Sequence, residues 1–141
     1  MKLHPLFDDS EYPTDALIAR VSAGEPIEIG DEIEQIDLNY MLTRGNPWCM
    51  LIRVRGDSMS AEIHDGDWVM IDRSREPEPN SIVLAKLAGG YTIKRHKPHG
   101  HRGRNGLYLV AANEVYAPRR VTEDDSFEII GVVTHIIHQT A

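Results

Sequence analysis

The sequence predicts a mainly β fold, a small antiparallel sheet domain behind a mobile N-terminal arm, on three observations. From Trp48 onward, short runs rich in Val, Ile, Leu and Tyr are bounded by Gly, Pro, Asn and Asp at close spacing. Gly89-Gly90 joins two of these runs, and glycine supplies the positive φ of a primed hairpin turn without steric cost. The first 46 residues differ, with Pro5, Pro13 and Pro26, few aromatics, acidic pairs at Asp8-Asp9 and Asp31-Glu32, and weak hydrophobic periodicity.

Taken in order, Met1 to about Ile29 reads as a mobile arm. Inside it, Pro13 to Arg20 has the composition of a short helix, of a length that is marginal in isolation. Ile36 to Thr43 is the next helical candidate, with Asp37 as its cap and Leu38, Met41 and Leu42 on its turn. Six strands are then expected. In the first, Met50, Ile52 and Val54 alternate with Leu51, Arg53 and Arg55. A turn of helix at Ser58 to His64 follows, then Trp68–Ile71 after the turn at Asp65-Gly66-Asp67. Ile82–Leu87 and Tyr91–His96 flank the glycine pair, and Leu107–Ala111 and Glu128–His138 complete the set.

Several classes of function are excluded by composition. A length of 141 residues suits one domain with one core. The longest nearly apolar stretch, Ile129 to Ile137, contains Thr134 and His135 and falls far short of the ~20 residues of a membrane helix. Asp8 and Asp9 interrupt any secretory leader, so a cytoplasmic location is expected. Cys49, the single cysteine, offers neither a disulfide nor a redox pair and reads as a small buried hydrophobe. A net charge of −7 argues against a broad phosphate-binding surface, so a protein partner would have to bring the chain to DNA.

Two residues stand out as chemistry. Ser58, in Arg55-Gly56-Asp57-Ser58-Met59, sits where a strand ends and a helical turn is expected. Its hydroxyl would lie beside unpaired backbone N–H groups able to hold an oxyanion, or else Asp57 and Ser58 simply cap the turn. A serine nucleophile needs a base, and no His-Asp arrangement is evident around it. Lys94 is the other candidate, on the same face of its strand as Thr92. It accepts a proton near neutral pH only if burial lowers its pKa by several units, and the alternative is an ordinary exposed strand lysine. The basic cluster His96, His99 and His101 has the residue types to bind a metal or touch nucleic acid, but it lies among Pro98, Gly100, Gly103 and Gly106, which favour a solvated hairpin loop. No metal and no cofactor is assigned.

Gly56-Asp57-Ser58-Met59, Asp65-Gly66-Asp67, Thr92-Ile93-Lys94-Arg95, then Asn113 with Tyr116 and Pro118, and Gly131-Val132-Val133 occur in one order. That ordered set resembles the LexA/UmuD-type self-cleaving serine peptidases over about Ser22 to His138. The resemblance implies a small domain of strongly bent strands, Ser58 as nucleophile, Lys94 as general base, and backbone N–H groups of Asp57 and Ser58 as the oxyanion hole. It also implies self-cleavage between a small residue and glycine, which Ala23-Gly24 in the arm satisfies; Ala88-Gly89 is the same pair tied into a hairpin. The expected organisation is a removable arm over 1–23, a linker over 24–46 and a peptidase and dimerisation domain over 47–141. Twenty-three residues are too few for a DNA-reading domain, so the arm is similar to that of the UmuD branch. That branch implies a homodimer, activation by a recombinase filament on single-stranded DNA in the SOS response, and service as accessory subunit of a Y-family-type error-prone polymerase. The rival expectation is a non-catalytic module of the same fold that docks a polymerase or another partner.

Overall fold

The computed structural model describes residues 15–18 and 34–141. The chain divides into two units, 1–47 and 48–141. In the first, β1 (Asp15–Ile18) pairs antiparallel with β2 (Glu34–Asp37), and α1 (Leu38–Thr43) follows directly. Asp37 caps α1 as expected, its carboxylate accepting from the N–H groups of Asn39 and Tyr40. The short helix expected between Pro13 and Arg20 is corrected: its described residues form β1. A strand partner supplies backbone hydrogen bonds that so short a helix would have to nucleate for itself. The remainder of the arm expected at 1–29 lies outside the described residues.

The second unit is a single antiparallel sheet of seven strands: β3 (Cys49–Arg53), β4 (Trp68–Asp72), β5 (Ile82–Leu87), β6 (Gly90–Lys97), β7 (Leu107–Val110), β8 (Arg119–Val121) and β9 (Glu128–Ile137). Their order is β3-β4-β9-β5-β6-β7-β8. Six of these match expected strands, and β8 was missed. Three residues, two of them arginines, carry no alternation; β8 exists because β7 offers an edge, pairing Leu107 with Val121. The hairpin between β5 and β6 turns on Ala88 and Gly89, at φ 50° and 79°, one residue earlier than the glycine pair suggests. Cys49 is only half-buried.

The bends are local. Against β4 the register of β9 slips at Thr134, and against β5 it slips at Ile130. An extra residue on one strand bends it and increases its twist, so two bulges on one strand curve the middle of the sheet. β5 is covered on both faces, as its alternating side chains require. Leu84 joins Val54, Met59, Ile63, Val69, Ile71 and Ile93 on one side. Val83 and Ala85 join Leu109 and Val132 on the other. The helical turn expected at Ser58–His64 is reduced to a run of tight turns with one helical bond, Ile63 N–H to the Met59 carbonyl at 2.8 Å. In an α-helix the Ser58 carbonyl would accept from Glu62; here it accepts from Asn113 N–H, and Glu62 N–H donates to Met59.

Gly131 marks the closest approach in the sheet. A Cβ there would stand 2.6 Å from Ile71 Cγ2 and 2.8 Å from the Asp72 carbonyl oxygen. Backbone cannot rotate away as a side chain can, so Gly131→Ala is expected to cost about 2–3 kcal/mol by overpacking, read as a lower urea midpoint at unchanged m.

Candidate active site

The segment that carries Ser58 is closed at its base and tied down along its length. Val54 N–H donates to the Asp67 carbonyl and Gly66 N–H to that of Val54, both at 2.8 Å. Gly56, at φ +91°, turns the chain out of β3 and donates to Asp65 Oδ1 at 2.7 Å. Met59 and Ile63 are buried in the core beneath. Arg95, the neighbour of Lys94 on β6, pairs with Glu62 of this segment. A second loop buttresses the far side: Asn113 N–H donates to the Ser58 carbonyl at 2.9 Å, and Asn113 Nδ2 to that of Asp57 at 3.2 Å. Ala112 N–H points at Met59 Sδ at 3.4 Å.

These ties leave Ser58 part-exposed with its hydroxyl facing β6. Lys94 Nζ donates to Ser58 Oγ at 2.9 Å, to Thr92 Oγ1 at 2.8 Å and to the Ile93 carbonyl at 3.2 Å. All three acceptors are neutral, so among the described residues burial is uncompensated by a carboxylate partner and pushes the Lys94 ammonium below its ordinary value. An ammonium uses its three protons on the three acceptors. A neutral amine keeps Thr92 and Ile93 and turns its lone pair to the Ser58 hydroxyl, which then donates. The geometry accommodates both states without moving a heavy atom.

The N–H groups of Asp57 and Ser58 donate to no protein acceptor among the described residues, which leaves them able to hold an anionic oxygen. Tyr116 hydroxyl donates to Asp57 Oδ1, and that carboxylate raises the Tyr116 pKa. Beside Lys94, a cavity of about 260 Å³ is lined by Thr92, Tyr91, Leu87, Gly90, Leu109 and Arg119.

The structure therefore brings Ser58 and Lys94 together although they are 36 positions apart in the chain. Ala23 and Gly24 lie outside the described residues. The basic cluster is corrected in part: His96, the end of the expected strand, is buried rather than solvated, with Nδ1 lacking a partner among the described residues, whereas His99 is exposed on the loop. Sequence reasoning placed Thr92 on the correct face without a task for it, and quoted Asn113 and Tyr116 only as motif letters. It quoted Asp67 only within a turn and motif and did not bring it together with His64 and His138. Asp67 is 2% exposed and accepts from His64 N–H at 2.8 Å, with His138 Nδ1 at 2.5 Å. The pairing of residue 138 with residue 67 depends on β9 lying beside β4, which no local pattern states.

A family described as Peptidase S24-like matches residues 16–134. The chain is similar to the LexA repressor of Bordetella avium (strain 197N), 33% identical over 129 residues, which cover 86% of this chain and 58% of that one. It is 35% identical to the LexA repressor of Shewanella denitrificans over 130 residues, 89% of this chain and 60% of the relative. Protein ImpA of Salmonella typhimurium is 33% identical over 138 residues, 96% of this chain and 90% of its own length. The chain thus spans about three-fifths of the LexA repressors and nearly all of ImpA.

The lowered pKa of Lys94 has a definite sign for stability. Because the folded state binds this proton less tightly than the unfolded chain, folding carries a full penalty below the folded pKa. The penalty shrinks as pH rises and vanishes above the unfolded value. Lys94→Met, which keeps most of the stem, is expected to be more stable than the unchanged chain at neutral pH. Urea midpoints measured at rising pH should show that advantage narrowing toward the ordinary lysine value; an advantage independent of pH would mean that Lys94 is not desolvated.

Proposed function

This chain belongs to the Peptidase S24-like family, and from that membership we propose that it is a Ser-Lys peptidase that cuts its own chain between Ala23 and Gly24. The observation that carries the reading is the 2.9 Å contact between Lys94 Nζ and Ser58 Oγ, with Lys94 desolvated and its other two acceptors uncharged. Neutral Lys94 takes the hydroxyl proton as Ser58 Oγ bonds to the Ala23 carbonyl carbon. The oxyanion is held by the Asp57 and Ser58 N–H groups. Collapse breaks the Ala23–Gly24 bond, Lys94 returns its proton to the Gly24 amine, and water then hydrolyses the Ala23 ester with Lys94 again as base. No carboxylate is needed to fix the base, because Thr92 Oγ1 and the Ile93 carbonyl orient the amine as a carboxylate orients a histidine.

The finer biological reading follows the UmuD branch, supported by an alignment with ImpA that runs through almost the whole of both chains. In it, 1–23 is the arm removed, 24–46 a linker and 47–141 the peptidase and dimerisation domain. A recombinase filament on single-stranded DNA promotes the cut in the cytoplasm during the SOS response, and the trimmed homodimer serves an error-prone polymerase. Exposed Trp68 and Ile137, directly opposite one another on β4 and β9, support a face that a second copy covers. No helix among the described residues is long and apolar enough to cross a membrane.

Intact-mass analysis tests the chemistry. Incubation of the unchanged chain is expected to yield a fragment beginning at Gly24, and Ser58→Ala or Lys94→Ala to lower its rate by on the order of 10³–10⁴. Either variant cutting at the unchanged rate would overturn the assignment and leave the binding-module reading. The unassisted rate should rise about tenfold per pH unit until Lys94 is neutral and then level off. Thr92→Val should slow cleavage and move that plateau toward lower pH, because the ammonium loses more than the amine when that acceptor is removed.

A further inference from the structure

We propose that His64, Asp67 and His138 form a site for a divalent cation of the zinc type, outside the Ser58–Lys94 contact. One candidate ligand atom from each lies within 4.8 Å of the others. His64 Nδ1 is 3.7 Å from Asp67 Oδ2, and His138 Nδ1 is 2.5 Å from Asp67 Oδ1. The two rings are 5.2 Å apart between centroids and tilted by 45°, both turned to the same carboxylate. Zinc bonds of about 2.0–2.2 Å put tetrahedral ligand atoms about 3.4 Å apart, so rearrangements on the order of 1 Å separate this cluster from a coordination shell.

Asp67 is 2% exposed and held by His64 N–H, so it is the fixed point. Both imidazoles are about half exposed, so solvent reaches the side of the cluster that three protein ligands leave open. Two imidazole nitrogens and one carboxylate oxygen suit zinc, cobalt, nickel or copper, whereas magnesium and calcium prefer an all-oxygen shell. Binding takes the place of the His138–Asp67 hydrogen bond, with the proton of the neutral His138 ring carried on Nε2 so that Nδ1 presents its lone pair to the ion.

The location gives the site a consequence. Gly66 and Asp67 close the base of the Ser58 segment on Val54, and His138 immediately follows β9. A bound ion would tie residues 71 positions apart across that base and hold the segment and the strand end together.

The test uses the full chain, stripped with a chelator and titrated with cobalt and zinc. One equivalent of cobalt is expected to give the visible absorption of a low-coordinate site, and zinc to displace it and raise the melting temperature. His64→Ala and His138→Ala, both at half-exposed positions, should fold and each weaken zinc by about 100-fold, with the melting shift lost. A His99→Ala/His101→Ala chain should bind as the unchanged one does. Failure of the unchanged chain to give the cobalt spectrum, survival of binding in both single variants, or its loss in the loop variant would each overturn the proposal. Should one single variant fail to fold, His64→Gln or His138→Gln supplies the same comparison with a neutral side chain of similar reach.

Discussion

Closure of one loop on itself governs the site. The paired hydrogen bonds between Val54 and residues 66–67 turn the chain between β3 and β4 into a tied segment, and everything distinctive about Ser58 follows from how that segment is filled. Met59 and Ile63 occupy the core below it, each contributing about 1.5–3 kcal/mol by burial. With those two side chains inside, the residue before Met59 has to face outward, toward β6. Asp67 is the hub of the closure. Its carbonyl accepts from Val54, and its carboxylate accepts from His64 N–H and meets the His138 ring.

A lysine beside a serine is an unfavourable arrangement unless something else holds it. The Ser58 segment is joined to β6 by the Glu62–Arg95 pair and to the 112–116 loop through Asn113, so the dyad contact does not have to support its own geometry. Neutral acceptors around Nζ leave the ammonium penalised by burial without a compensating charge. A carboxylate in place of Thr92 would reverse that balance and hold the proton on the amine at neutral pH. The uncharged acceptors that Lys94 meets among the described residues are therefore as much a part of the site's chemistry as the serine.

Local patterns made most of the sheet legible. Alternation in Met50–Arg55 and the run Ile82–Leu87 located strands to within a residue or two, and Asp37 announced the start of α1. What failed depended on partners distant in sequence. β8 is too short to carry a period and exists through β7. Asp15–Ile18 became a strand because Glu34–Asp37 pairs with it. The stretch after Ser58 keeps only one helical bond, Ile63 N–H to the Met59 carbonyl, because Asn113 takes the carbonyl that Glu62 would have used. Within the site, the motif order pointed to Ser58 and Lys94, but it could not say that Thr92 and Ile93 would orient the amine.

The same reasoning explains why the histidines that attract the eye are not the ones that converge. His96, His99 and His101 are close in sequence, yet β6 turns the first into the core while the loop leaves His99 in solvent. His64 and His138 show no common pattern, and they meet because β9 passes beside β4 and ends over the turn that precedes β4. Antiparallel neighbours bring the end of one strand to the beginning of the other, so the last residue of a late strand falls on the loop entering an early one. Here that entering loop is also the base of the segment bearing Ser58. Whatever binds at Asp67 acts on the closure from which the Ser58–Lys94 geometry descends.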